Sequence, residues 1–293
     1  MTDYPVNLVL EATTYCNLRC KACPHAFMKR ANGKMSAPLY KKIVDEIAAK
    51  SPKETIVWFA FMGEPVSLKE DLFEKIKYAK KKGVANAYLN TNAILLDDKM
   101  ADLAIASGLD KIIISVDAFS EDAYKKIRCG GDFKLLKKNI LNLLDKIKKN
   151  KSPKPEVVVQ FIIMDENRDE ERTFKDFWLE HGATVKIRRK LGWGGSVEAE
   201  DLLIPQEKRN MPCPWLMRQM VVLWDGKVAQ CDGDYEGVHS AGDVNKSSIH
   251  EIWNGELKRR RQKHVNKDFD FEPCNSCNDW QVGMSEIYKP LKK

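Results

Sequence analysis

The sequence predicts an α/β fold: a partial (β/α)6 TIM-like barrel over residues 1–190 and a small C-terminal domain over residues 191–293. Short apolar segments alternate with segments of helical periodicity, which is the pattern of a parallel sheet covered by helices. Six such units are present, and six suit an open, partial barrel. Beyond residue 191 the alternation stops and glycines and prolines cluster, which marks the second domain.

Each predicted strand is short and leads through a loop into a helix. The strands are predicted at residues 6–11, 55–62, 87–92, 111–117, 156–164 and 184–189. The first helix begins at Ser36 and Pro38, a capping residue followed by a first-turn proline. The later helices are predicted at residues 71–82, 97–107, 133–147 and 169–181. Ligands of such sheets bind at the carboxyl ends of the strands, so the site is expected in the loops that follow them.

The C-terminal segment contains one hairpin signal and one helix. Residues 220–224 and 227–231 are apolar and flank Asp225-Gly226, a dipeptide typical of tight hairpin turns. A single helix is predicted over residues 248–263. The rest of this segment is rich in turn-forming residues, so we expect a small domain with little regular structure.

Composition favours a cytoplasmic protein. The chain has 293 residues, 43% of them hydrophobic, enough for one large domain with a smaller one beside it. No apolar run reaches the 18 residues of a membrane span, and the N-terminus lacks the features of a signal peptide. The formal charge of +7 comes from lysines spread along helices, and no nucleic-acid-binding motif accompanies it. We therefore expect neither a membrane nor a nucleic-acid partner.

Three closely spaced cysteines follow the first strand. Cys16, Cys20 and Cys23 have the spacing C-x3-C-x2-C. Eight cysteines in a chain without a leader indicate metal binding or catalysis rather than disulfides. Three thiolates can hold three irons of a cubane cluster and leave the fourth iron open to a ligand. A zinc site is the alternative, with His25 as the fourth ligand.

This cysteine motif, placed after a first strand, resembles that of the radical S-adenosylmethionine (radical SAM) enzymes. The resemblance implies that S-adenosyl-L-methionine (SAM) binds the open iron of a [4Fe–4S] cluster. It also implies that an external reductant of the flavodoxin or ferredoxin type supplies one electron. SAM would then be cleaved to methionine and a 5′-deoxyadenosyl radical, which removes a hydrogen atom from the substrate.

A second set of cysteines lies in the C-terminal segment. Cys213, Cys231, Cys274 and Cys277 could close another cubane or form a zinc ribbon, although only one C-x2-C pair is present. Their spacing resembles the SPASM domain of radical SAM enzymes in its truncated form, called twitch. Chain length and spacing are similar to twitch enzymes of the 2-deoxy-scyllo-inosamine dehydrogenase type. That resemblance implies one auxiliary [4Fe–4S] cluster. Cys129 belongs to neither set, and we expect it to be inert.

The resemblance also implies which residues contact SAM. Gly63, Glu64 and Pro65 follow the second strand, where the family binds the amino group of SAM with a Gly-Glu motif. Polar side chains at or after the third, fourth and fifth strands are expected at the same rim. The remaining predicted contacts with SAM are Ser115 and Asp117 near the ribose, Arg128 on the carboxylate, Asn92 and Gln160 at the rim, and the backbone of the fifth strand at Ile163 beside the adenine. The residue before the third cysteine is usually aromatic and near the adenine, but here it is Ala22.

Two arginines at the end of the sixth strand, Arg188 and Arg189, are the candidate catalytic residues, as proton acceptor or substrate anchor. We expect oxidation of a small polar alcohol, such as a sugar or cyclitol, with the auxiliary cluster as electron acceptor. The alternatives are a maturase that crosslinks a peptide or forms a thioether, and a radical epimerase. A protein that is not an enzyme but an iron–sulfur electron carrier is a further alternative. The sequence does not identify the substrate.

Overall fold

A computed structural model describes residues 2–197, 209–282 and 285–290. Ten strands form one sheet in the order β10-β6-β5-β4-β3-β2-β1-β7-β8-β9. The strands are β1 (Asn7–Leu10), β2 (Ile56–Phe59), β3 (Asn86–Thr91), β4 (Lys111–Ser115), β5 (Glu156–Ile163), β6 (Thr184–Arg189), β7 (Gln219–Val222), β8 (Lys227–Ala229), β9 (Gly242–Asp243) and β10 (Ser285–Tyr288). The helices are α1 (Ala37–Lys50), α2 (Glu70–Lys81), α3 (Asp98–Ala106), α4 (Glu121–Ile127), α5 (Phe133–Lys149), α6 (Glu171–Glu180), α7 (Pro214–Arg218), α8 (Ile249–Asn254) and α9 (Glu256–Val265).

The first six strands are parallel and follow chain order, as a half-open barrel requires. Helix α1 begins where the sequence predicts its cap, because the hydroxyl of Ser36 accepts a hydrogen bond from the backbone N–H of Leu39. The apolar stripes of these helices pack on the outer face of the sheet and form the main core. Strands apolar on both faces need this cover, which explains the near-continuous apolar runs. The predicted fold class is confirmed.

The C-terminal segment continues the sheet at both edges. Strand β7 pairs in parallel with β1, with Asn7 opposite Gln219, and β8 and β9 follow as antiparallel strands. At the other edge β10 pairs antiparallel with β6. The hairpin is present where the Asp225-Gly226 turn predicts it. The domain boundary between residues 190 and 191 stays a prediction. Strands from both sides of that boundary share one sheet.

Five elements differ from the sequence-based expectation. The helix expected over residues 248–263 is wrong as one element, because α8 and α9 are separated at Gly255, whose ψ of −112° is not helical. Helices α4 and α7 and the strands β9 and β10 were not predicted. Among the described residues, no helix combines the length and the apolarity that a membrane crossing requires.

Candidate active site

A cleft opens at the carboxyl ends of β1 to β6. The cleft brings together residues from the cysteine loop, from the ends of five strands and from the segment after β6. It is lined by Cys16, Cys20, Ala22, Cys23, Ala60, Phe61, Met62, Gly63, Glu64, Asn90, Thr91, Asn92, Ser115, Asp117, Ile127, Arg128, Gln160, Ile162, Arg188 and Trp193.

The cysteine loop is held by backbone hydrogen bonds to the segment after α4. The N–H of Arg19 donates to the carbonyl of Cys129 at 3.0 Å, and that of Lys21 to the carbonyl of Ile127 at 2.9 Å. Burial raises the pKa of Cys16 to about 11 and that of Cys23 to about 12. These groups are therefore thiols at neutral pH until iron binds, and iron binding must release their protons. All three thiols of the loop line the cleft.

The turn after β2 requires a glycine at position 63. A Cβ atom built on Gly63 would lie 2.0 Å from the carbonyl oxygen of Thr13, so no other residue fits without moving the backbone. This close approach lets the N–H of Glu64 donate to the carbonyl of Tyr15 at 2.9 Å. Pro65 is buried and begins a short 3-10 turn, Pro65–Leu68, so its side chain does not line the cleft. The predicted motif thus fastens β2 to the cysteine loop.

The carboxylate of Glu64 is buried, with 2% of the residue exposed, and accepts three hydrogen bonds from the protein. The donors are the backbone N–H of Val66 at 3.0 Å, the hydroxyl of Thr91 at 2.7 Å and the backbone N–H of Asn92 at 2.7 Å. Burial raises the pKa of Glu64, and these three bonds oppose that effect. A carboxylate offers about four acceptor positions, so one remains for a ligand. Contact between Glu64 and an ammonium group stays a prediction.

Asp117 and Arg128 form an ion pair with each other. Asp117 adopts a left-handed φ of +60° after β4, is 1% exposed and also accepts a 2.8 Å bond from the backbone N–H of Ile162. The guanidinium of Arg128 lies 3.4 Å from the sulfur of Cys20 through Nη1. Asp117 was expected near the ribose and Arg128 on the SAM carboxylate. Both expectations stay predictions, and the charges of the two side chains already neutralise each other.

The polar residues of the later strands form one wall of the cleft. The Nδ2 of Asn92 donates to the Oδ1 of Asn17 at 2.9 Å, whereas the Oδ1 of Asn90 is buried and has no partner among the described residues. The Oε1 of Gln160 accepts a bond from the Nε of Arg188 at 3.1 Å. Ser115 also lines this wall. Their shared orientation follows from the period of two along a strand.

Two predicted residues lie away from the cleft. In β5 it is Ile162 whose side chain lines the cleft, and Ile163 packs against the main core on the opposite face. In β6 Arg188 lines the cleft, and the side chain of Arg189 is exposed outside it. Only the carbonyl of Arg189 takes part, by accepting a 3.1 Å bond from Arg188 Nη1. The placement of Arg189 corrects the sequence-based expectation for its side chain. For Ile163 the expected contact is made by the backbone, and it stays a prediction.

Trp193 is a cleft residue that sequence reasoning missed, because we expected the tryptophans of the C-terminal segment mainly in its core. Its indole N–H donates to the carbonyl of Ala22 at 2.9 Å, within the cysteine loop. Trp193 has a φ of +51°, a strained conformation for a bulky residue. The carboxylate of Asp279 accepts bonds from the N–H of Gly192 at 2.7 Å and of Gly194 at 2.8 Å, which holds this turn.

The second set of cysteines is gathered beside this turn. Burial raises the pKa of Cys231 well above its usual value, and the nearby thiols of Cys213, Cys274 and Cys277 raise it further. Two sulfurs receive N–H donors: Cys274 from the Nε2 of Gln230 at 3.2 Å, and Cys277 from the backbone at 3.4 Å. Such donors are typical of iron–sulfur ligands, so the four thiols fit a cluster.

Within the described ranges, no group of three or more Cys, His, Asp or Glu side chains is arranged to bind a single metal ion. The thiolates of a cubane bind different irons, so they need not converge on one point. Two acidic residues flank the second set differently. Asp234 accepts bonds from the backbone of Gln230 and His239 and caps a turn. Asp232 accepts one from Gln219, and burial raises its pKa to about 6.

Family models match both parts of the chain. The model of the radical SAM superfamily matches residues 10–177, which is more than half of the chain. The chain belongs to the radical SAM superfamily. The SPASM model, an iron–sulfur cluster-binding domain, matches residues 213–278 and includes all four cysteines of the second set. The predicted family, and with it an enzyme that uses SAM and two [4Fe–4S] clusters, is confirmed.

Individual proteins match nearly the whole length of the chain, including both domains. The chain is 23% identical over 92% of its length to the tungsten-containing aldehyde ferredoxin oxidoreductase cofactor-modifying protein of Pyrococcus furiosus, of which it covers 86%. The crystal structure of BtrN in complex with AdoMet and 2-DOIA has a TM-score of 0.66, 19% identity and 98% coverage of both chains. Streptococcus suis SuiB bound to the precursor peptide SuiA has a TM-score of 0.69, 12% identity and 96% and 71% coverage. These structures share the fold.

Proposed function

We propose that this radical SAM enzyme oxidises an alcohol of a small polar substrate, sugar-like or cyclitol-like, to the carbonyl. The observation that carries the proposal is the position of the two thiol sets relative to the Trp193 turn. Cys16, Cys20 and Cys23 line the cleft, and the indole of Trp193 is bonded to Ala22 of the same loop, whereas the turn is held by Asp279, two residues after Cys277 of the second set. The substrate would thus lie between a site where SAM is cleaved and a site that accepts an electron.

The balance of the reaction uses both sites. Cys16, Cys20 and Cys23 would hold the first cluster, which would pass one electron from an external reductant of the flavodoxin or ferredoxin type to SAM and so supply methionine and the 5′-deoxyadenosyl radical. The substrate carbinol loses its C–H hydrogen atom to this radical, giving 5′-deoxyadenosine. It then loses the hydroxyl proton to a base and one electron to the auxiliary site, so the substrate is oxidised by two electrons. Arg188 is a donor, already bonded to Gln160, and suits the role of substrate anchor.

Two observations support oxidation over the alternatives. Epimerisation needs a thiol that returns a hydrogen atom, yet among the described cleft residues the cysteines are the three predicted cluster ligands. Cys129 is exposed, with its sulfur 3.6 Å from the carbonyl of Lys126, outside the cleft. The residues that line the cleft are mostly polar at its rim, which suits a small polar molecule. Peptide modification is therefore the second candidate.

The test separates the two sites by mutation. Anaerobically reconstituted protein should contain about eight irons per chain, as two cubanes require. Cys274→Ala should keep reductive cleavage of SAM but lose the carbonyl product, and Cys129→Ala, a matched cysteine outside both sets, should change neither. A panel of polyols deuterated at the carbinol carbons should transfer label to 5′-deoxyadenosine. Normal product formation by Cys274→Ala would refute the electron-acceptor role, and label transfer only from peptides would refute the substrate class.

A further inference from the structure

Two cations on one face of β6 have no carboxylate in ion-pair contact among the described residues. Lys186 and Arg188 alternate along the strand and therefore point to the same side, into the barrel. Arg188 lines the cleft, and its guanidinium donates hydrogen bonds to two neutral oxygens, those of Gln160 and of the Arg189 carbonyl. Among the described residues, neither Lys186 nor Arg188 has an ion-pair partner. Burial of a cation without an anion is unfavourable, so the arrangement calls for an external one.

Lys186 lies one step deeper in the barrel than Arg188, opposite Gln160 in the register of β5 and β6. It is partly buried, and its ammonium forms no hydrogen bond with a described residue. Burial and the nearby charges of Arg188 and Lys111 lower its pKa to about 8. Lys111 differs, because it forms a 3.0 Å ion pair with Glu156. Among the described residues, Lys111 thus has an ion-pair partner and Lys186 has none.

The carboxylates near this face contact other groups of the protein. Asp117 and Glu156 form ion pairs with Arg128 and Lys111, and Glu64, Asp232 and Asp279 accept hydrogen bonds from neutral donors. Asp117, Asp232 and Asp279 act on Arg188 through their charges, but among the described residues none of these carboxylates forms an ion pair with Arg188 or Lys186. An oxyanion that enters the cleft would give both cations a direct partner.

We propose that the substrate carries an oxyanion, a phosphate or a carboxylate, which Arg188 and Lys186 bind together. This deepens the proposed function, since the substrate becomes an anionic sugar or cyclitol rather than a neutral one. The planar guanidinium of Arg188 can bind two oxygens at once, and the long stem of Lys186 lets its ammonium reach the same group from below. Anchoring at β6 would leave the carbinol carbon free to face the cysteine loop.

The binding test uses the reconstituted, SAM-loaded enzyme under anaerobic conditions and at constant ionic strength. Equilibrium dialysis with radiolabelled inorganic phosphate and with radiolabelled malonate measures the two oxyanion types separately. Wild type should bind one of them saturably. Arg188→Gln and Lys186→Met should each weaken that binding about tenfold or more, as expected for a lost charged hydrogen bond. Arg189→Gln, a neighbouring arginine outside the cleft, is the matched control and should bind like wild type.

Iron content and SAM affinity, measured for every variant, show whether the protein is folded and loaded. Equal oxyanion binding in all four proteins, or no saturable binding in wild type, would overturn the inference. A fall in SAM affinity for Arg188→Gln with unchanged oxyanion binding would also overturn it, because Arg188 would then be a SAM contact. If oxyanions bind as expected but no alcohol is oxidised, the proposed reaction fails while this site stands. If neutral polyols are oxidised without oxyanion binding, the site fails alone.

Discussion

Replacing Glu64 by glutamine tests whether this carboxylate holds the rim of the cleft together. The Oε1 of Glu64 accepts from Val66 and Thr91, and its Oε2 accepts from the backbone N–H of Asn92. A glutamine can keep the first two bonds through its carbonyl oxygen, but its NH2 group then faces the N–H of Asn92. One charged hydrogen bond is lost and one buried donor is left unpaired.

The expected loss is about 2–4 kcal/mol of unfolding free energy, from the cost of one charged bond and its orphaned donor. Burial raises the pKa of Glu64, which means that desolvation of the carboxylate offsets part of the stability that its hydrogen bonds contribute. We therefore expect the loss of unfolding free energy in Glu64→Gln to lie in the lower half of that range. SAM affinity should fall as well, by about tenfold, because the turn after β2 is fastened to the cysteine loop.

The assay is anaerobic urea unfolding of the reconstituted protein, with SAM affinity measured by equilibrium dialysis. Thr91→Val is the matched control, since it leaves the charge on Glu64 and removes the 2.7 Å donor to it, together with the acceptor of a 2.9 Å bond from the N–H of Ala93. It should cost about 1–3 kcal/mol, and the double variant should show coupling between the two positions. An unfolding free energy of Glu64→Gln equal to that of wild type, together with a large fall in SAM affinity, would refute the reasoning. Glu64 would then act on the ligand alone.

Three further changes probe the site. Gly63→Ala places a Cβ atom 2.0 Å from the Thr13 carbonyl and should destabilise the protein by roughly 3 kcal/mol or more, seen as a lower urea midpoint; a wild-type midpoint would contradict the tight approach. Asp279→Asn can keep only one of its two backbone bonds and should loosen the Trp193 turn, lowering SAM affinity about threefold with unchanged iron content. If iron is lost instead, Asp279 supports the second cluster. Cys20→Ala should abolish SAM cleavage and halve the iron content, and a full iron content would place the cluster elsewhere.

Much of the framework could be predicted from local sequence signals. The sixth strand has its predicted bounds, since residues 184–189 are bracketed by a glycine turn and by a change in composition. The cysteine loop and the Gly63 turn were predicted because their chemistry is tied to spacing. The helix break at Gly255 was missed, since a single glycine is tolerated in many helices. Strand β10 was missed because its register is set by β6, far away in the sequence.

Side-chain partners were harder to predict than backbone elements. Asp117 and Arg128 were each placed in the cleft, but their mutual ion pair depends on the left-handed turn at Asp117, which no sequence signal indicated. The sequence did not show which of Arg188 and Arg189 faces the cleft. The two arginines are adjacent in β6, and a shift of one residue reverses the side on which each lies. Trp193 follows the last strand of the barrel, in a segment without periodicity. Its role became apparent only from the hydrogen bond to Ala22.

That hydrogen bond has a consequence for how the two cysteine sites communicate. Asp279 lies two residues after Cys277 in the chain and holds the turn that carries Trp193, which in turn is bonded to the residue before Cys23. A displacement of the Cys277 loop can therefore reach the cysteine loop of the cleft through two carboxylate bonds and one indole bond. Because the turn is held in a strained conformation, it has little freedom to absorb such a shift. The position of the second cysteine set and the shape of the cleft are thus linked by these bonds.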